Sequence, residues 1–472
     1  MTVHDKRGDF LRMKRAAPVQ EGQVLELEIT GFSHAGEGIG RYAGFTVFVP
    51  YAVPGERVLC RVEQIRKGFA IAKLDKVLDR AEIRQEPACP DFFKCGGSHL
   101  QHISYSAQLA FKQKVVADAV QRIGKLGDVP VHFPIGMEMP WRYRNKAAFQ
   151  VADDNGRIRL GFFAEETHQV VAAYDCMLLH RQISEFAAVV EMLLNKYKVP
   201  AYDWKTHRGI LRHVVIRRSW AHNKVMIVLV TTSEKCINLH AMARDLHRNP
   251  SVVSVVRNIN DGPGRNIFGN CNVVLAGRET IEDKLCGLTF VISPTSFFQV
   301  NPVQTEILYQ KVRQYAVGTG KETVLDLYCG IGTIALYLAQ FTEKVIGLEV
   351  HEAAVADAAA NARINGIGNA EFIVGRAEDR LPKLAAQGVK ADVVVVDPPR
   401  KGVDKRALQA ICDIGPERIV YVSCDPASMA RDLHFLRHRG YGVREIQTVD
   451  MFPQTHHVEC IVQIKRAESR MG

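Results

Sequence analysis

No run of eighteen apolar residues occurs in the 472-residue chain, and its opening MTVHDKRGDFLRMKR has no apolar signal core. A membrane-crossing helix needs about 20 mostly apolar residues, and a secretory leader needs an apolar centre. The chain therefore reads as cytoplasmic, with no membrane partner. The eleven cysteines do not make a disulfide framework either; they are scattered and odd in number. In a reducing compartment such thiols are buried side chains, metal ligands or nucleophiles. Acidic residues are in deficit, 51 against 61 lysines and arginines, which leaves a formal net charge of +10. That excess favours a polyanionic partner, most simply nucleic acid, over a basic surface kept for solubility. The length suggests two to four domains.

What is present is organised around VLDLYCGIGT, Val324 to Thr333. Val324, Leu325 and Leu327 read as a buried parallel strand that runs into a turn at Gly330 and Gly332, with an apolar helix after it. A glycine pair admits a ligand to the backbone, and a helix N-terminus offers free N–H groups. A second strand, Lys344 to Leu348, ends in Glu349, where a carboxylate is placed for ribose hydroxyls. This predicts a nucleoside-cofactor site. The glycines alone also fit the loose dinucleotide pattern, Gly330-x-Gly332-x-x-Ala335.

Residues 1–19 read as a basic arm with Lys6, Arg7, Arg12, Lys14 and Arg15. Residues 20–80 read as a five-stranded OB-like barrel, a frequent single-strand nucleic-acid binder, with Gly36, Gly38 and Gly40 as a flexible connection. This stretch resembles the TRAM domain found on RNA-modifying enzymes. Residues 81–295 read as a strand-rich central RNA-binding domain. Its helix at 104–125 is expected to pack on the catalytic domain. Arg142, Arg144, Lys146, Arg217 and Arg218 lie on strands whose exposed faces would suit RNA backbone. Residues 296–466 alternate strand and helix, with strands at 323–327, 344–349, 370–374, 392–396, 418–422, 442–447 and 458–464. The fold class is α/β: a doubly wound, Rossmann-like parallel sheet with an antiparallel end, preceded by the barrel and the central domain.

Ligands in such sheets sit at the carboxyl ends of the strands. One strand there ends in Asp397-Pro398-Pro399-Arg400, where two prolines fix an extended loop. Methyltransferases commonly carry Asp/Asn-Pro-Pro-x at this place, which moves the expected cofactor from NAD to S-adenosylmethionine. The next strand ends in Ser423-Cys424-Asp425-Pro426. Cys424 is a nucleophile candidate, with Arg431 the nearby cation expected to lower its pKa. Glu459, before the apolar Ile461 to Ile464, is a general-base candidate. A thiolate that adds to uracil C6 gives C5 carbanion character, so that C5 accepts a methyl group. A base then removes the C5 proton. A methyl-donor site, Cys424 and Glu459 together supply that reaction, and the target base must leave any stack to reach them.

The chain resembles the bacterial RNA uracil-C5 methyltransferase family over nearly its whole length. The motifs are SFFQVN at Ser296 to Asn301, DLYCGIGT at Asp326 to Thr333, DPPRKG at Asp397 to Gly402, VSCDP at Val422 to Pro426 and MFPQTHHVE at Met451 to Glu459. The resemblance implies Cys424 as nucleophile and Glu459 as base. It implies cofactor contacts at Gln299, Tyr328, Glu349 and Asp397. The barrel and central domain imply 23S ribosomal RNA as substrate rather than transfer RNA, with no obligate protein partner. Many ribosomal members hold a four-iron cluster on Cys-x5-Cys-Gly-Gly-Cys plus a distant cysteine. Here Cys89, Cys95 and Cys176 match, but Ser98 stands where the third cysteine of that run belongs. Two readings stay open: no cluster, or a labile three-cysteine one; His99 and His102 are candidate substitutes that the spacing does not demand. The rival functions are an RNA-binding protein with a decayed catalytic domain, an NAD-dependent oxidoreductase and an adenine amino-methylating enzyme.

Overall fold

The computed structural model describes residues 17–467 apart from 165–166, 168, 173–174 and 265. The five cations of the expected basic arm lie outside the described residues. The chain divides into two compact units, Met1–Glu86 with His102–Ser104, and Pro87–Gln101 with Tyr105–Gly472.

The first unit is a closed barrel of β1 (Val24–Phe32), β2 (Gly38–Tyr42), β3 (Phe45–Val49), β4 (Arg57–Arg66) and β5 (Phe69–Asp79). In β1, Leu25, Leu27 and Ile29 point inward while Glu26 and Glu28 face solvent, the alternation of a half-buried strand. β1 pairs with both β2 and β4, so closure leaves no unpaired edge. Of the glycines expected to form a flexible connection, Gly38 and Gly40 instead build β2, while Gly36 lies in the turn before it. A Cβ at Gly38 would come within 2.8 Å of the Ala52 carbonyl oxygen, so the absent side chain lets two segments approach.

The second unit opens with α1 (Tyr105–Arg122), which packs on a helix of the doubly wound sheet described below. A seven-stranded sheet follows, formed by β6 (Lys146–Asp154), β7 (Arg157–Phe163), β8 (Val170–Ala172), β9 (Leu211–Arg218), β10 (Val225–Thr231), β11 (Val252–Ile259) and β12 (Cys271–Gly277). Two helices, α2 (Arg181–Lys196) and α3 (Asn238–His247), cover one face with Phe186, Val190, Leu239 and Met242. The other face, through Val215, Met226, Val228 and Val230, shares a core with Phe298, Leu308 and the doubly wound sheet. Both faces of β9 are therefore covered, and Arg217 and Arg218 are 3% and 6% exposed rather than offered to solvent. Arg217 donates to the Ser296 carbonyl at 2.7 Å, and Arg218 donates to Gln182 and Asn223.

After the hairpin β13 (Ile281–Leu285) and β14 (Leu288–Ile292) and the helix α4 (Pro302–Ala316) comes the doubly wound sheet. Its elements are β15 (Thr323–Leu327), α5 (Thr333–Ala339), β16 (Lys344–Glu349), α6 (Glu352–Ile364), β17 (Ala370–Val374), α7 (Ala377–Ala386), β18 (Val393–Val396), α8 (Lys405–Ile414), β19 (Arg418–Ser423), α9 (Pro426–Arg437), β20 (Tyr441–Val449) and β21 (Glu459–Arg466). The spatial order is β17-β16-β15-β18-β19-β21-β20, with β21 antiparallel between β19 and β20. The strand order reverses between β15 and β18, which opens a crevice at their carboxyl ends.

A buried ion pair ties α1 to this sheet. Lys112 and Asp450 have fully buried side chains 2.5 Å apart. Lys112 also donates to the Phe452 carbonyl at 3.0 Å, and Tyr105 donates to Asp450 at 2.8 Å. Burial pulls the Lys112 ammonium below its ordinary pKa, and Asp450 opposes that shift. Removing one partner of such a pair strands the other charge, at a cost of about 3–5 kcal/mol. Lys112→Met is expected to lower the unfolding free energy by that order, read as a lower denaturant midpoint, and Lys112→Met/Asp450→Leu to recover much of it. An unchanged midpoint in the single variant would show that the pair does not anchor α1.

Candidate active site

The antiparallel register of β19 and β21 brings the two chemical candidates together. Ser423 pairs with Cys460 and Val422 with Ile461. One further step sets Cys424 opposite Glu459, on the face that Val422 and Ile461 share, while Cys460 and Val462 turn to the other core. Residues opposed across an antiparallel pair have Cβ atoms roughly 4.5–5.5 Å apart. Cys424 is half-buried and Glu459 is buried.

Burial pushes the Cys424 thiol up to about 11, Glu459 and Asp397 add to the rise, and Arg400 opposes it. The Glu459 carboxyl lies well above its usual range, because of burial first and Asp397 second. The cation beside Cys424 is thus Arg400 rather than the expected Arg431. Arg431 donates instead to Asp432 and to the Lys401 carbonyl. The signal for Arg400 was its place directly after the two prolines.

The loop that leads into Glu459 is held from several sides. Backbone N–H groups of His99 and Leu100 donate to the Gln454 carbonyl at 2.9 and 3.0 Å. Gln108 exchanges two hydrogen bonds with Gln454, and the Tyr143 hydroxyl donates to the Pro453 carbonyl. Asn301 donates to the Met451 carbonyl and accepts from the Gln304 N–H at the start of α4.

Of the sequence-predicted cofactor residues, Tyr328, Glu349 and Asp397 lie at the neighbouring strand tips and Gln299 in the segment that leads into α4. A narrow cavity of about 40 Å³ is lined by Gln299, Asp326, Tyr328, Gly330 and Asp397, among others. Tyr328 also lines a cavity of about 810 Å³ that runs past Val350, Arg376 and Lys401. The larger cavity contains neither Cys424 nor Glu459, so its size does not make it the reaction centre. Glu349, at the end of β16, accepts from the N–H groups of Gly330 and His351. Asn145 of the central sheet donates to the Gln299 carbonyl. A Cβ at Gly330 would meet no protein atom within 4 Å, so the space beside it is open to a ligand.

Asp326 is the residue that sequence reading missed. Both its carboxyl oxygens are buried without a hydrogen bond of ordinary geometry among the described residues. Burial, Asp397 and Glu349 hold its carboxyl well above the usual range, with partial relief from the Ala335 N–H. Burial lifts Asp397 to about 6. An enclosed pocket with these carboxyls suits a ligand that carries positive charge.

The cysteine trio is elsewhere. Burial raises the pKa of Cys89 and Cys95, and the nearby Cys176 adds a smaller rise to each. The Ser98 hydroxyl accepts from Gln101, whose own side-chain oxygen accepts from the Cys89 N–H. Among the described residues, no group of three or more His, Cys, Asp or Glu is arranged to hold a metal ion. Three thiols and the Ser98 hydroxyl do not fit a four-thiolate cluster. His102 belongs to the barrel unit, where it packs against Tyr51, and His99 lies against His456.

Known proteins align with this arrangement. Residues 278–467 match the family model described as tRNA (Uracil-5-)-methyltransferase, and residues 18–74 match the TRAM domain. An uncharacterized RNA methyltransferase of Halalkalibacterium halodurans is 43% identical over 96% of this chain and 99% of its own. One from Clostridium tetani is 42% identical over 95% of this chain and 98% of its own. The crystal structure of Pyrococcus abyssi tRNA (uracil-54, C5)-methyltransferase, in complex with S-adenosyl-L-homocysteine, superposes with a TM-score of 0.75. It is 27% identical and covers 93% of this chain and 99% of that one. Fold and matches together define an RNA methyltransferase. The chain belongs to the RNA uracil-C5 methyltransferase family, in its TRAM-bearing form.

The geometry gives a pH signature for the free enzyme. Alkylation of Cys424, followed by peptide mass spectrometry, is expected to keep accelerating past pH 9, with its midpoint near about 11. Asp397→Asn and Glu459→Gln each remove a negative neighbour and are expected to move that midpoint down. A plateau below pH 9 in the unaltered enzyme would contradict the burial account.

Proposed function

We propose that the protein methylates uracil C5 in 23S ribosomal RNA through a covalent Cys424 adduct. The observation that carries this reading is the register that sets Cys424 against Glu459 beside a buried, carboxylate-lined pocket. The methyl donor is S-adenosylmethionine, which supplies an electrophilic methyl group on a sulfonium. Its cationic groups suit Asp326 and Asp397, Gln299 offers a donor and an acceptor to the amino-acid end, and Glu349 accepts from ribose hydroxyls. The Cys424 thiolate forms a bond to C6, and the electron pair of the C5–C6 double bond moves to C5 and the adjoining carbonyl. After methyl transfer, the Glu459 carboxylate takes the C5 proton. The pair left by that C–H bond re-forms the C5–C6 double bond and expels the thiolate. A carboxyl held well above its usual range retains such a proton readily.

The ribosomal assignment rests on the resemblance of the whole layout to members that modify 23S RNA. A specific observation favours transfer RNA as the second reading. The Pyrococcus abyssi enzyme covers 93% of the chain, which leaves too few residues uncovered to omit the barrel matched at 18–74. The barrel therefore does not separate the two substrates. Among the described residues no helix is long and apolar enough to cross a membrane, and we place the reaction in the cytoplasm with RNA as partner.

The test is transfer of labelled methyl into ribosomal and transfer RNA from cells lacking the protein, with the modified nucleotides mapped. Label is expected as 5-methyluridine in 23S RNA, and Cys424→Ala is expected to abolish it while cofactor affinity stays nearly intact. Label in transfer RNA would overturn the substrate. Unchanged turnover by Cys424→Ala would overturn the mechanism.

A further inference from the structure

Between α2 and β9 the chain carries an aromatic and basic loop that the catalytic account does not use. From Lys196 to Arg218 there are seven lysines and arginines and one acid, Asp203. Lys205, Thr206, His207 and Arg208 are exposed at the tip, with Tyr202 and Trp204 half-buried beside them. The tip is tightly built. The Asp203 N–H donates to the Arg208 carbonyl, and the Asp203 side chain accepts from the N–H groups of Lys205 and Thr206. Gly209 has φ +98, and a Cβ there would fall 1.9 Å from the Ala201 carbonyl oxygen, so the loop closes only on glycine.

Beneath the tip lies Arg212, 1% exposed. Its guanidinium carbon sits 4.4 Å from the Trp204 ring centre and 4.8 Å from that of Tyr202. Nη1 donates to the carbonyls of Asn260 and Gly262. Nε and Nη2 have no partner among the described residues. A buried cation against two ring faces orients both rings.

On the reading that the substrate is RNA, we infer that the Tyr202–Arg208 loop is a second RNA contact. In it Trp204 stacks an unpaired base, and Lys205 and Arg208 hold the adjoining phosphates. Aromatic side chains interleaved with cations are the composition that binds single-stranded RNA. The loop is remote from the reacting base. It meets β9 at Leu211, whereas the contact of that strand with Ser296 is made by Arg217, six residues and about 20 Å along. The nucleotide held there thus flanks the target.

The test is titration of full-length protein with a fluorescent oligouridylate at several salt concentrations. Trp204→Ala is expected to weaken binding about tenfold, within the range of one base–aromatic stack. Trp204→Phe keeps a ring and is expected to recover most of it. Lys205→Ser/Arg208→Ser changes exposed side chains only and is expected to reduce the slope of log affinity against log salt by about 1.4, or 0.7 for each single-strand phosphate. S-adenosylhomocysteine affinity is expected to be unchanged in all three. Unaltered affinity and slope in the variants, with the parent protein binding, would overturn the loop assignment alone. No binding by the parent protein would overturn the RNA reading with it.

Discussion

The site depends on one pairing, the antiparallel register between β19 and β21. These strands are 35 residues apart at Cys424 and Glu459, and only hydrogen-bonded alignment makes them neighbours. A slip of one residue would turn Glu459 to the face that Cys460 and Val462 now occupy, since side chains alternate with a period of two. Both faces of β21 are buried in separate apolar cores, so a slip would exchange side chains packed into one core for those packed into the other. The register is thus held by the fit of side chains on both faces.

Packing around that register explains much of the rest. The strand alone would leave Glu459 at the end of a free loop. Lys112, Gln108, Tyr143 and Asn301 fix the loop by contacts from α1, the central segment and the start of α4. The central sheet reaches the candidate cofactor residues in the same way, through Arg217 on Ser296 and Asn145 on Gln299. Several motif residues that look chemical therefore act as braces. Electrostatics follows from burial: Asp326, Asp397 and Glu459 lie close together away from water, and each holds its proton more tightly than an exposed carboxyl.

The parallel strands were legible because strands covered on both faces are short continuous apolar runs, as in Val393–Val396. The motifs at their tips were legible because glycine and proline have few other uses there. β2 was not, since its glycines serve close packing and look like flexibility. α3 is a ten-residue helix inside a region dominated by strands, and it escaped notice. Arg217 and Arg218 were misread because a strand between two cores can carry cations whose partners are distant carbonyls and amides. The same non-locality hid Arg400 as the cation beside Cys424.

The central claim is that Cys424 adds to the ring and Glu459 ends that bond. The most direct measurement is the mass of Glu459→Gln protein after incubation with substrate RNA and S-adenosylmethionine, with the attachment site mapped by digestion. The account predicts a stable protein–RNA adduct on Cys424 whose nucleotide carries the new methyl group, because addition and methyl transfer proceed while proton removal does not. Normal turnover without an adduct, or an adduct on any other cysteine, would contradict it.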